Sequence, residues 1–130
     1  MKRMNQGKIA FIFIILIAIA CLLFSCSDLS REKIVDKSEL TGRDYRLFQN
    51  TPAWELAKAV EDENTKKIDK IVSENPEIIN YQESKYGNTL LMLTIMNQQL
   101  KPFKALLKRG ADVNIPLIPQ HYSLTLFISA

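Results

Sequence analysis

Apolar residues in this chain follow two rhythms. The first is continuous: Ile9 to Phe24 is an unbroken run of 16 apolar residues. A short basic stretch, Met1 to Lys8, precedes it and Ser25-Cys26-Ser27 follows. The second rhythm is periodic and starts near Thr51. Ala53, Trp54, Leu56, Ala57 and Val60 fall on one helical face, and Glu61 to Asn64 breaks the pattern. Ile68, Ile71 and Val72, set against Lys66, Lys67, Asp69 and Lys70, predict a second helix. Asn75-Pro76 ends it, because the residue before a proline avoids the helical region. After a loop from Tyr81 to Gly87 the same order returns. Thr89 is placed to cap a helix carrying Leu90, Leu91, Leu93, Ile95 and Met96, and Asn97 to Gln99 make a turn. Phe103, Ala105, Leu106 and Leu107 line the next helix, with Pro102 in its first turn and Gly110 as its stop. Asn80 and Asn114 are 34 positions apart, and Leu91 and Leu126 are 35. The pattern predicts an all-α chain built from repeated helix pairs, each with an apolar face that only a neighbouring pair can cover.

Residues 26–50 lie between the two rhythms. Their polar, mixed composition suits a tether. However, Ile34, Val35, Leu40, Tyr45, Leu47 and Phe48 are too many apolar residues for a disordered linker alone. Tyr45 to Phe48 are expected to pack on the first helix as a cap, with a turn at Thr41-Gly42. Thr51 is expected to cap that helix and Pro52 to suit its first turn.

A basic start, an apolar middle and small residues before a cut make residues 1–25 read as an export signal. At about 1.5 Å per residue the 16-residue run spans roughly 24 Å, short of roughly 30 Å of hydrocarbon. Leu23-Phe24-Ser25-Cys26 resembles the lipobox of bacterial lipoproteins, and Ala18-Ile19-Ala20-Cys21 is a second, poorer candidate. The resemblance implies a diacylglycerol thioether on Cys26, cleavage before it, and acylation of the new amino group. Ser27, in place of Asp, resembles an outer-membrane sorting signal of Gram-negative bacteria. The alternatives are an uncleaved membrane anchor and a plain secretory signal.

Gly87-Asn88-Thr89-Leu90-Leu91-Met92-Leu93 resembles the opening of an ankyrin repeat, with Thr89 and Leu91 at its matching positions. Leu106-Leu107-Lys108-Arg109-Gly110-Ala111-Asp112-Val113-Asn114 resembles that family's closing motif in full. The resemblance implies an ankyrin-repeat solenoid over 51–130: a divergent repeat at 51–80, a full one at 81–114 and a partial third at 115–130. Tyr122 to Ala130 would be the first helix of that third unit. Leu124 to Ile128 is apolar with no polar helix after it, which points to a shortened product or to an end packed on itself or on a partner. Two full repeats also predict marginal stability.

Charge narrows the functional classes. Removing Lys2, Arg3 and Lys8 leaves 14 of the 17 basic residues, equal to the 14 acids, so nothing argues for nucleic acid. With Cys21 lost and Cys26 acylated there is no free thiol. One histidine and no cysteine cluster argue against a metal site. Glu61-Asp62-Glu63 reads as a solvated turn, and His121 has no acidic or nucleophilic neighbour. Trp54 is assigned to packing on the cap segment. The serines lack a nucleophile setting. No enzyme, cofactor or small-molecule substrate is expected.

The expectation is a lipid-anchored, non-enzymatic protein-binding module of the bacterial cell envelope, most simply at the outer membrane. Binding is assigned to Tyr81, Gln82, Glu83, Ser84, Lys85 and Tyr86, two tyrosines flanking polar groups, together with Met92 on the inner helix. A poorly folded lipoprotein fragment without independent function is one alternative. An immunity protein against a bacterial toxin is another.

Overall fold

The continuous and periodic stretches fold as two units, residues 3–34 and 35–116. These are the residues that the computed structural model describes. The side chains of 24–28, the expected lipidation site Cys26 among them, lie outside the described set. So do residues 117–130, which hold His121 and nearly all of the expected third repeat.

The first unit is one helix, α1 (Gln6–Glu32), started by Asn5, whose side chain accepts from the Gly7 amide at 3.3 Å. Counting only Ile9 to Phe24 understates its apolar length. The stretch Gln6–Leu23 comprises 18 residues of mean hydropathy 2.5, long and apolar enough to cross a membrane. A signal sequence near an N-terminus has the same properties.

The second unit holds four further α-helices: α2 (Trp54–Glu61), α3 (Thr65–Glu74), α4 (Leu90–Met96) and α5 (Leu100–Lys108). Among the described residues there is no strand. The pairs α2/α3 and α4/α5 pack internally, and they stack on one another through α2 on α4 and α3 on α5. Short 3-10 turns lead in at Lys37–Glu39 and Tyr45–Phe48 and link the pairs at Pro76–Asn80. The core draws from every layer: Leu47 and Phe48 from the lead-in, Leu56 and Val60 from α2, Ile68 from α3, Leu90 and Leu93 from α4, and Leu106 from α5. The expected cap is therefore present, and it is longer than expected. The Gln49 side chain accepts from the Val35 amide at 3.3 Å, and its carbonyl accepts from Lys37 Nζ at 2.7 Å. Residues 35–49 thus form part of the folded unit.

The helices end by one device used three times. After α5 the Gly110 amide donates to the Leu107 carbonyl and the Ala111 amide to the Leu106 carbonyl, both at 3.0 Å, with Gly110 at φ +91°. After α2 the same pair of bonds runs from Glu63 to Val60 (3.0 Å) and from Asn64 to Ala59 (2.9 Å). After α4 it runs from Gln98 to Ile95 (3.1 Å) and from Gln99 to Thr94 (2.9 Å). These are Schellman caps, whose reversing residue must be left-handed. Glu63 (φ +53°) and Gln98 (φ +57°) take that conformation without being glycine. Asn64 then caps the following helix, accepting from the Lys67 amide at 3.0 Å, so two helices join with almost no loop. Asn64 and Gln99 are 35 positions apart, which sets the structural register of the two helix pairs.

Thr89 caps α4 as expected, accepting from the Met92 amide at 3.3 Å. The Thr51 expectation shifts by two residues: its hydroxyl accepts from the Ala53 amide at 3.2 Å and donates to the Phe48 carbonyl at 2.6 Å. It shapes the turn before α2, and Pro52 precedes the helix instead of standing in its first turn.

Left-handed backbone costs a non-glycine residue about 1 kcal/mol. Gln98 is exposed, so Gln98→Gly is expected to raise the unfolding free energy by roughly 0.5–1 kcal/mol in a urea melt.

Candidate functional site

The loop from Tyr81 to Asn88 is built around one buried carboxylate. Glu83 is 1% exposed. Its carboxylate accepts from the amides of Lys85 (2.6 Å), Tyr86 (3.0 Å) and Asn88 (3.0 Å). Its own amide donates to the Asn88 carbonyl at 3.0 Å. Burial of a carboxyl group is tolerated only when its lone pairs are met, and here three backbone donors meet them. The same bonds close the loop and bring Gly87, at φ +74°, and Asn88 back to the start of α4.

Closed in this way, the loop turns its side chains onto the lead-in segment. Lys85 Nζ donates to the carbonyls of Ser38 (2.7 Å) and Leu40 (2.8 Å) and lies 4.9 Å from the centre of the Tyr86 ring. The Tyr86 hydroxyl donates to the Leu40 carbonyl at 3.0 Å, and Asn88 Nδ2 donates to the Gly42 carbonyl at 3.2 Å. Tyr81 packs against the core with its ring centre 6.3 Å from that of Phe48. Gln82 Nε2 donates to the carbonyls of Gly87 (3.0 Å) and Pro116 (2.8 Å).

The six loop residues named from sequence are therefore together in space, but they differ in access. Glu83 is buried and Lys85, Tyr81 and Gln82 are half-buried; Ser84 and Tyr86 are exposed. The polar groups of Glu83, Lys85 and Gln82 hold the molecule together, and the surface left for a partner is the Tyr86 ring and the Ser84 tip. Met92 is half-buried on α4.

A polar cleft of about 550 Å³ lies beside the lead-in turn, lined by Arg43, Tyr45, Arg46, Glu61, Asn97 and Gln99 among others. The Tyr45 hydroxyl donates to Gln99 Oε1. Gln99 Nε2 donates to the Glu61 carbonyl at 3.2 Å, and Asn97 Nδ2 donates to the Arg43 carbonyl at 2.9 Å. Burial, with the charges of Glu61 and Glu63 nearby, pushes the Tyr45 phenol up to about 12, against a side-chain hydrogen bond with Asn97 that favours its ionised form. Asp44 sits below the usual carboxylate range because the Arg46 guanidinium donates to it twice, at 3.0 and 2.7 Å, and the Arg46 amide once, at 2.9 Å. The cleft residues bond mostly to each other and to backbone, and they carry no nucleophile–base pair. Among the described residues no cluster of histidine, cysteine or carboxylates could hold a metal ion.

A second depression, of about 370 Å³, is apolar. Thr94, Ile95, Gln98, Gln99, Leu100 and Phe103 line it at the open end of the second helix pair. Ile95 is 60% and Leu100 61% exposed. Sequence periodicity marks Ile95 as an apolar helix position without showing that its face is uncovered.

Scanned against family models, curated proteins and solved structures, the chain finds no match in any of the three.

Glu83→Ala is expected to lower stability by about 2 kcal/mol in urea melts, because buried backbone N–H groups lose their acceptor. It should also raise amide exchange at Lys85 and Tyr86. An unchanged melt would mean that the carboxylate does not organise the loop.

Proposed function

We propose that this chain is a lipid-anchored ankyrin-repeat module of the bacterial envelope that binds another protein and catalyses nothing. One observation carries the reading: two helix pairs repeat with a 35-position offset, and the first helix of each ends in the same Schellman cap. The sequence Leu106 to Asn114, which resembles the ankyrin closing motif, falls on the Schellman cap after α5 and on the turn that follows it. There the Asp112 amide donates to Asn80 Oδ1 at 2.9 Å, tying the turn after the second helix pair to the turn after the first. A stack of such pairs offers a rigid side made of loop tips and inner helices, which suits contact with a macromolecule. The accessible part of that side here is Tyr86, Ser84 and Met92.

The anchor reading rests on α1 and on Leu23-Phe24-Ser25-Cys26. Phe11, Ile14, Leu22 and Leu23 are exposed along α1, so its apolar surface is available to a bilayer or to export machinery. Two or three acyl chains on Cys26, at about 0.8 kcal/mol per buried methylene, would hold the processed chain firmly. Outer-membrane placement follows from Ser27. The open apolar end at Ile95 and Leu100 favours a second reading, a marginally stable fragment without independent function, since an uncovered face lowers the stability of any stack.

Cells expressing the chain and fed an alkyne fatty acid are expected to yield a labelled, shortened membrane-bound product. Cys26→Ser should give an unlabelled, full-length precursor. A photo-crosslinking residue at Met92 should then trap a protein partner in envelopes where the same residue at Lys70 does not. Labelling that survives Cys26→Ser would overturn the anchor, and equal trapping at both positions would overturn the binding face.

A further inference from the structure

The zero net charge of residues 27–130 hides an uneven distribution. Helices α3 and α5, with Arg109 after the latter, hold seven of the 14 basic residues but only two of the 14 acids, Asp69 and Glu74. Lys66 and Lys70 stand one turn apart on α3, and Lys101, Lys104 and Lys108 recur at helical spacing on α5, which carries no acid. All five lysines are exposed, and among the described residues none is bonded to a carboxylate.

The two rows form one face because α3 and α5 pack side by side. Arg109 donates to Asp69 at 2.8 Å, and this bond, with the charge of Lys108, holds the Asp69 carboxyl below the usual carboxylate range. Asp69 lies three positions after Lys66 and one before Lys70, so the α3 lysines and the end of α5 are neighbours. Arg109 neutralises the one acid between the rows, which leaves the five lysines without a bonded counter-charge. Like charges gathered in this way repel one another, and an anionic surface relieves the repulsion. Leu107, 37% exposed between Lys104 and Lys108, adds an apolar edge. Lysine beside exposed leucine suits a headgroup interface, where the ammonium meets phosphate and the apolar group reaches the acyl boundary.

The covalent chain keeps this face close to a bilayer. Val35 already belongs to the folded unit, its amide bonded to Gln49. Cys26 and Val35 are nine positions apart, and even a fully extended connection of that length reaches only roughly 30 Å. A compact domain of about 80 residues has a radius of gyration of about 12 Å. Each of its faces is therefore within reach of the membrane, at high local concentration. We propose, resting on the anchor reading above, that the lysine face of α3 and α5 lies on the anionic phospholipid headgroups of the bilayer that holds the anchor. The contact is electrostatic and is screened beyond about 10 Å at 0.1 M salt. It uses neither Tyr86 nor Met92, which the binding reading assigns to a protein.

The test uses the full chain held in vesicles by α1, with Cys21→Ser and Cys26→Ser so that no acylation is involved. A polarity-sensitive fluorophore is attached through Ser73→Cys, one turn beyond Lys70 on α3, or through Ser84→Cys on the loop; both positions are exposed. At low salt the Ser73 label is expected to brighten about twofold or more in phosphatidylcholine vesicles with about 30% phosphatidylglycerol, compared with phosphatidylcholine alone. The Ser84 label should respond much less. Salt at about 0.5 M should abolish the difference. Lys70→Glu combined with Lys104→Glu should abolish it as well, with an unchanged urea melt because both positions are exposed. Equal emission in the two kinds of vesicle, an equal rise at both labels, or a rise that survives the charge reversals would overturn the proposal. A larger response to polyglutamate added to neutral vesicles would overturn it too, and would give the face to an acidic polypeptide. No arm needs an acyl chain, so failure of the lysine face and failure of acylation at Cys26 are read separately.

Discussion

An amphipathic helix pair with too little surface to bury its own apolar side is the constraint behind this molecule. α2 and α3 are eight and ten residues long, α4 and α5 seven and nine. Helices this short are marginal in water, and the stability of each comes from the apolar neighbours it meets. Stacking meets that need only if consecutive pairs lie in the same orientation. The shared Schellman cap supplies this by fixing the angle at which every pair turns. The left-handed residue after each inner helix is therefore retained where it is Glu63 or Gln98, at some local cost in backbone strain.

Stacking leaves two ends, and they are treated differently. At the first end the lead-in segment supplies Leu47 and Phe48 to the core, and the Tyr81–Asn88 loop grips its backbone carbonyls through Lys85, Tyr86 and Asn88. The grip comes from the loop that feeds the second helix pair, so the lead-in joins the two pairs as well as covering the first. Asp69 and Arg109, bonded at 2.8 Å, tie α3 to the end of α5 on the outer side. Each holds the other charged, lowering the carboxyl and raising the guanidinium, though at this exposure the pair adds little stability. At the second end the apolar face of α4 and α5 is open among the described residues.

The helix pairs were legible in the sequence because their apolar spacing is regular and because Gly110, Pro76 and Thr89 mark boundaries through backbone chemistry. The lead-in cap was legible chiefly from Tyr45 to Phe48, and more faintly from Val35 and Leu40, which also meet the core. The further pinning of residues 35–40 depends on backbone groups and leaves no residue-type signal. Glu83 misled for a related reason. In a polar loop a glutamate reads as solvated, and nothing local announces that three amides will converge on it. Glu63 and Gln98 were hidden because only glycine or asparagine advertises a left-handed site. From its sequence the polar loop reads as a free binding finger, while in the structure most of its side chains serve the fold.

The central claim is that the two helix pairs and the lead-in segment form one cooperative stack. Trp54 is the chain's one tryptophan and reports on α2, while the amide of Leu106 reports on α5. The most direct test follows both through urea on the full chain in detergent, by fluorescence and by hydrogen exchange. A shared stack predicts coincident midpoints. A Leu106 amide that loses protection well before the Trp54 transition would show that the pairs fold separately and would contradict it.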